Sequence, residues 1–192
     1  TNGTKKMTIL SGGSVGIGTS SPESLLHLRG SIPTLILHDT NSSVSGDDYG
    51  KIQWHTQDSS MPGTNDIGAE IKATDDSTYG DRAAILFSTA HNATSLTERM
   101  RIASDGNVGV GTAAPVNALH VHGSGDGFGY IRITDGAIGA TATDGARIGY
   151  NSSALRIQNY ENSNISFFTN NTTEALTIQN AGNVGIGTNS PG

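Results

Sequence analysis

Val108-Gly109-Val110-Gly111-Thr112 lies inside Met100-Arg-Ile-Ala-Ser-Asp-Gly-Asn-Val-Gly-Val-Gly-Thr-Ala-Ala-Pro115, the middle of three near-copies of one phrase. The others are Met7-Thr-Ile-Leu-Ser-Gly-Gly-Ser-Val-Gly-Ile-Gly-Thr-Ser-Ser-Pro22 and Leu176-Thr-Ile-Gln-Asn-Ala-Gly-Asn-Val-Gly-Ile-Gly-Thr-Asn-Ser-Pro191. Each copy reads as an apolar alternating strand, a turn, a glycine ribbon and a proline, with no helical spacing. The copies stand 93 and then 76 residues apart, and the match runs on past the proline, where Leu26-His27-Leu28-Arg29-Gly30 aligns with Leu119-His120-Val121-His122-Gly123. Such repetition predicts a rod or an array rather than a pocketed globule. The third copy ends at Gly192 where a further strand is due, and Thr1 is not an initiating Met, so the chain is expected to be an excised or processed piece of a longer polypeptide.

Composition narrows the function classes. Ten aromatic residues stand against 26 glycines in 192 residues, so bulky material for a hydrophobic centre is scarce. Small domains of this kind bury too little surface alone, and partner chains usually supply the rest; a homo-oligomer is expected. Cysteine is absent, which excludes disulfides and thiolate metal sites. A formal charge of -6, with 11 basic residues thinly spread, argues against nucleic acid as a partner. No stretch reaches the apolar length of a membrane-inserting helix.

Period-two alternation recurs along the chain: Ile52 and Trp54 against Gln53 and His55, Ile71 and Ala73 against Glu70 and Lys72, Ile131 and Ile133 against Tyr130 and Arg132, Leu155 and Ile157 against Arg156 and Gln158. Asp-Gly pairs and Asn/Ser clusters separate these runs as turns. The prediction is all-β: two tandem small β modules joined by Gly-rich ribbons. Residues 1–30 read as a ribbon with entry strands, 31–99 as the first module, 100–123 as a second ribbon with entry strands, 124–175 as the second module, and 176–192 as the start of a third repeat. The first module is longer, and its extra residues around Met61 to Asp66 and Asp75 to Asp81 are expected to be surface loops suited to partner contact.

The ribbons are Val15, Gly16, Ile17 and Gly18; Val108, Gly109, Val110 and Gly111; and Val184, Gly185, Ile186 and Gly187. Each alternates a branched apolar residue with bare backbone. Glycine weakens a strand unless another backbone comes close, and three chains meeting about a common axis would impose that closeness. A glycine-rich hairpin within a monomer is the competing explanation; the return of the same glycines in all copies favours contact between chains.

Gly-Asn-Val-Gly-Ile-Gly-Thr-x-x-Pro followed by Leu-His-Val-x-Gly, and preceded by Thr97-Glu-Arg-Met-Arg-Ile102, resembles the repeats of bacteriophage tail-fibre and related virion appendage proteins. In those proteins the repeats often lie upstream of an intramolecular chaperone domain of the endosialidase type. The resemblance covers the ribbons and their neighbouring strands, about half the chain. It implies an elongated homotrimeric fibre with a virion and hence extracellular location, and says nothing of a host receptor. Similar repeats also occur in bacterial surface proteins.

Several residue patterns invite a chemical reading. Gly12-Gly-Ser14-Val-Gly16 fits a hydrolase nucleophile elbow, but Asn107 and Asn183 replace Ser14 in the other copies and no helix follows. The Gly-x-Gly steps lack the third glycine of a dinucleotide loop. His120 and His122, two apart on a strand, face one side, and three parallel chains would offer six imidazoles to a transition metal; fibre tips that resemble this arrangement bind iron. Two half-exposed strand residues are the commoner explanation of a lone His-x-His. Aspartates at 47, 48, 75, 76 and 81 do not follow a calcium-loop order, which leaves at most a weak Ca²⁺ site, and no carboxylate pair is set out for glycoside hydrolysis. Tyr49, Trp54, His55 and Tyr79 have the composition of a glycan-contact patch, although Trp54, in phase with Ile52, also reads as core.

The expectation is a non-enzymatic structural segment of a trimeric phage tail fibre or virion appendage, without a cofactor, whose partners are itself and a host-surface polysaccharide or protein receptor. A lectin-like glycan-binding module and a bacterial surface adhesin or filament protein are the alternatives.

Overall fold

The computed structural model describes residues 6–40, 46–57, 67–77, 81–91, 95–123, 128–137, 139–151, 153–169 and 173–191. Among these the chain is all-β, with fifteen strands in four sheets and no helix, hence none long and apolar enough to cross a membrane. The chain divides into two compact units, residues 1–42 and 43–192. The expected borders at 99/100 and 175/176 fall inside strands.

The first unit contains β1 (Met7–Ile9), β2 (Val15–Ile17) and β3 (Leu26–Leu28). β1 and β2 form an antiparallel hairpin, and β3 lies parallel to β2 on its other edge. The connection is a tight one: the Gly13 amide donates to the Leu10 carbonyl and the Leu10 amide to the Ser14 carbonyl, both at 2.9 Å. Gly13 carries a φ of 86°, the geometry of a type I turn closed by a glycine bulge. The other two repeats build the same turn at Gly106 and Gly182.

The second unit opens with a six-stranded sheet: β4 (Asp48–His55), β5 (Ile67–Asp75), β6 (Ala83–Thr89), β7 (Thr97–Ile102), β8 (Val108–Val110) and β9 (Leu119–Val121), in sequence order. β4 to β8 run antiparallel and β9 is parallel to β8. The second ribbon, β8, is thus an inner strand of this sheet, paired with β7 on one side and with the edge strand β9 on the other. Two three-stranded antiparallel sheets follow: β10 (Phe128–Ile133), β11 (Ala146–Asn151) and β12 (Ala154–Asn159); then β13 (Ile165–Thr169), β14 (Thr173–Ile178) and β15 (Val184–Ile186).

Directly paired residues share a face, so the registers can be read across each sheet. In the six-stranded sheet Ile52, Ile71, Phe87, Met100, Val110 and Val121 form one row, and Gly50, Ala73, Ile85, Ile102, Val108 and Leu119 form the next on the same face. The opposite face carries Gln53, Glu70, Ser88 and Glu98, then Lys72, Leu86, Arg101, Gly109 and His120. Burial inverts the usual rule. Glu70, Thr74 and Ser88 are buried on the polar face, whereas Ile52, Ile85 and Ile102 on the apolar face are open to solvent. Among the described residues the buried apolar side chains are Ala84 and Leu86 alone, and both lie on the polar face.

Arg101 organises that polar face. Its guanidinium grips Glu98 through Nε at 2.7 Å and Nη2 at 2.9 Å, and reaches Asp76 through Nη1 at 3.1 Å. Asp76 in turn accepts from the Ser104 amide at 3.1 Å, so the end of β5 is tied to the turn after β7. The Glu98 pairing and the neighbouring Asp76 charge raise the Arg101 pKa further, against the opposing effect of burial.

After each ribbon the chain folds back on itself. A Cβ at Gly16 would lie 2.6 Å from the Thr19 carbonyl oxygen, and one at Gly109 would lie 2.5 Å from that of Thr112. At Gly111, where φ is 76°, a Cβ would be driven into the His122 carbonyl that closes the parallel strand. Gly106→Ala, where φ is 86° but no atom crowds the new methyl, is expected to cost about 1 kcal/mol of left-handed strain. Gly111→Ala adds a backbone collision and should cost more than about 2 kcal/mol. Urea unfolding midpoints of the two variants measure the difference, and equal losses would refute the crowding.

Candidate functional site

The feature that recurs in every sheet is an apolar face with nothing over it among the described residues. In the first unit Met7, Ile17 and Leu28 form one row and Ile9, Val15 and Leu26 the next. In the second, β10 to β12 align Ile131, Ile148 and Ile157, and β13 to β15 align Phe167, Leu176 and Ile186 beside Ile165, Ile178 and Val184. Exposure is large: Ile9 65%, Leu155 69%, Phe167 43% and Ile186 83%. Isolated apolar residues on a surface need no explanation, but rows that recur within each of the four sheets do.

The ribbon residues divide between the two faces. Val15 and Ile17, Val108 and Val110, and Val184 and Ile186 belong to the open rows. Gly16, Gly109 and Gly185 are buried on the reverse side, under their own chain. The covering loop repeats to the atom, because the amides of Ser21, Ala114 and Ser190 donate to Thr19, Thr112 and Thr188 Oγ1 at 3.1, 3.2 and 3.2 Å. The bare backbone of the ribbon thus has a cause within the chain. What the ribbon offers outward is its Val/Ile stripe.

His120 and His122 do share a side, with ring centroids 6.2 Å apart and planes at 88°. Register puts His120 beside Gly109 and Arg101, on the face opposite the Val108 and Val110 stripe. An axis lined by that stripe would not be lined by these imidazoles. Buried His120 Nδ1 has no hydrogen-bond partner among the described residues, and no group of three or more metal-binding side chains gathers anywhere among them.

The proposed glycan-contact residues are dispersed. Tyr49 turns its hydroxyl to Asp75 Oδ1 at 3.3 Å, while Trp54, five residues further along β4, lies on the open apolar face with Ile52 and is 52% exposed. At strand rise the backbones of the two residues stand about 16 Å apart. His55 leans on Gln53 at 3.4 Å. Tyr79 and the loop residues 61–66 lie outside the described residues. Ser14 occupies the hairpin turn, where its carbonyl accepts the Leu10 amide.

The aspartates of this region are engaged rather than poised. Asp48 binds Lys72 Nζ at 2.9 Å and Lys51 Nζ at 3.4 Å. Partial burial pushes its pKa up, but the two ammonium groups outweigh this and hold it below the usual value. Asp75 accepts from the Ser77 amide and hydroxyl and from Tyr49, which together overcome burial and lower its pKa as well.

Two features were not anticipated from the sequence. Arg147 stacks over Tyr130 at 3.9 Å and over Tyr160 at 5.2 Å, with Arg132 over Tyr160 at 4.7 Å, so that cations and rings cover the polar face of β10 to β12. The Tyr130-x-Arg132 alternation is the signal that could have found part of this. An open cleft of about 350 Å³ lies where β12 leads into β13, lined by Asn159, Glu161, Asn162, Gln179 and Asn180 among others. Its amides pair with each other, as Asn180 Nδ2 does with Asn162 Oδ1 at 2.6 Å.

Because the folded pKa of Asp48 is depressed, its contribution is present above the ordinary carboxylate range and is lost as pH falls through the folded value. The pair is partly exposed, so the contribution is below about 1 kcal/mol. Asp48→Asn should therefore lower the urea midpoint slightly at pH 7 and leave it unchanged near pH 2, and an equal loss at both pH values would refute the pairing. No protein-family model matches this chain, and no curated protein matches it.

Proposed function

We propose that this chain is a non-enzymatic structural segment of a homotrimeric fibre, of the kind found in bacteriophage tail fibres and other virion appendages, exposed on the virion and contributing to host-surface attachment. The single observation that carries this reading is the run of uncovered apolar rows on all four sheets. Covering a large aliphatic or aromatic side chain gains about 1.5–3 kcal/mol. Among the described residues Ala84 and Leu86 are the buried apolar side chains, so most of that gain is still to be made. Three copies arranged with their Val/Ile stripes inward would complete the core and leave Lys51, Lys72, Arg147 and the loops outside. The resemblance of the ribbons to appendage repeats points the same way. Repeated weak contacts along such a fibre raise avidity without a strong single site.

A bacterial surface filament shares this physics. A lectin-like role rests on Trp54, the one large ring exposed at the edge strand β4. The two are separable, since Trp54→Ala abolishes glycan-array binding in the second case and weakens association in the first.

Sedimentation equilibrium at micromolar concentration should return three times the mass of one chain. Ile148→Lys and Val110→Lys, on the open faces, are expected to shift the mass towards the monomer, while Arg156→Lys on the polar face leaves it unchanged. A monomeric wild-type chain would overturn the proposal.

A further inference from the structure

We propose that the outer edge of β15 is a docking site for a parallel strand of the Leu-His-Leu/Val type, joined in sequence through position 192. The first two repeats show the site filled. In the first, the Val15 amide donates to the Leu25 carbonyl at 2.8 Å and the Arg29 amide to the Ile17 carbonyl at 2.8 Å. In the second, the Val108 amide donates to Ala118 at 3.0 Å and the His122 amide to Val110 at 2.8 Å.

The third repeat reproduces everything up to that strand. Its hairpin bonds match, with Gln179 donating to Asn183 at 2.9 Å and Gly187 to Ala175 at 3.0 Å. These bonds set the alternation of the ladder, so that the Val184 and Ile186 pairings with β14 are the non-hydrogen-bonded kind and their amides and carbonyls turn to the outer edge. No strand pairs with that edge among the described residues.

Gly187 is the second, independent sign. Gly18 and Gly111 take φ of 77° and 76° where the carbonyls of Arg29 and His122 close over them, and a Cβ at either would collide with that oxygen. Gly187 holds the same conformation, φ 70°, with no described atom within 4 Å of where its Cβ would be. Its backbone therefore matches that of the two glycines over which a carbonyl closes. The route to the edge is also preformed, since a Cβ placed on Gly185 would meet the Thr188 carbonyl and lie 3.2 Å from Pro191 Cδ, as one on Gly16 would meet Thr19 and Pro22. That preformed loop favours a strand arriving through position 192 over one from another molecule. The apolar side chains of such a strand would extend the Val184 and Ile186 rows in the way Leu26 and Leu28 extend Val15 and Ile17.

The test extends the full chain after Gly192 by Ser-Leu-Leu-His-Leu-Arg-Gly, the sequence of residues 24–30, and follows amide hydrogen exchange. Exchange at Val184 and Ile186 should slow by about tenfold or more, towards that of Val108 and Val110, while β13 and β14 report that the sheet is intact. An extension with both strand-face leucines, the counterparts of Leu26 and Leu28, changed to Ser should give no slowing. Gly187→Ala should abolish the slowing in the extended chain, because the methyl occupies the seat of the incoming carbonyl. Unchanged exchange, equal slowing by the Ser control, or indifference to Gly187→Ala would each overturn the site. Sedimentation of both chains separates this outcome from self-association: protection gained at constant mass is edge pairing, and protection that appears only with added mass refutes it.

Discussion

The closure of each ribbon by its own chain is the constraint on which the rest of the molecule turns. Once Thr19, Thr112 and Thr188 fold their carbonyls onto Gly16, Gly109 and Gly185, one side of every ribbon is occupied by covalently local backbone. No side chain larger than hydrogen fits beneath those carbonyls. The remaining side carries Val and Ile, and the neighbouring strands fall into register with it, so the same polarity extends across whole sheets. A local steric event thereby decides which face of a sheet is left for something else to cover.

The energetics follow from that partition. Strand ladders contribute modestly, about 1 kcal/mol net per hydrogen bond, against an ordering cost of about 1–2 kcal/mol per residue. Burial normally makes up the difference. In the six-stranded sheet the polar face is the buried one and is held by specific bonds, such as Arg101 to Glu98 and Asp76, and Gln53 Nε2 to Glu70 Oε2 at 2.5 Å. Such bonds set register and orientation more than they supply net stability. The apolar rows are thus the principal reserve of free energy in the chain.

The repeat is also a modular device. Hairpin, fold-back loop and parallel strand recur with the same bonds in the first two copies despite substitutions such as Ser14 to Asn107 and Ile17 to Val110. Between them the modules vary in length and loops while the punctuation does not. Elaboration is confined to the interior of each module, where strand ends such as β4 and β5 carry Asp48, Lys72 and Tyr49. A chain so organised changes its exposed chemistry without disturbing the ribbon that positions it.

Residue order alone was enough for strand identity and for the facing of side chains, because alternation has a period of two and each Ile-x-Ile or Val-Gly-Val run declares its own sides. Three things needed coordinates, each because it joins residues distant in sequence or depends on backbone direction. The ribbon glycines serve an intrachain fold-back, which the motif Val-Gly-Ile-Gly cannot distinguish from contact between chains. Trp54 keeps phase with Ile52 as read, yet stands half in water, since alternation assigns a face but not what lies over it. The parallel pairing of β8 with β9, which makes the second ribbon part of the first module's sheet and turns the histidine pair away from the apolar stripe, arises only when the loop from Gly111 to Ala118 closes in space.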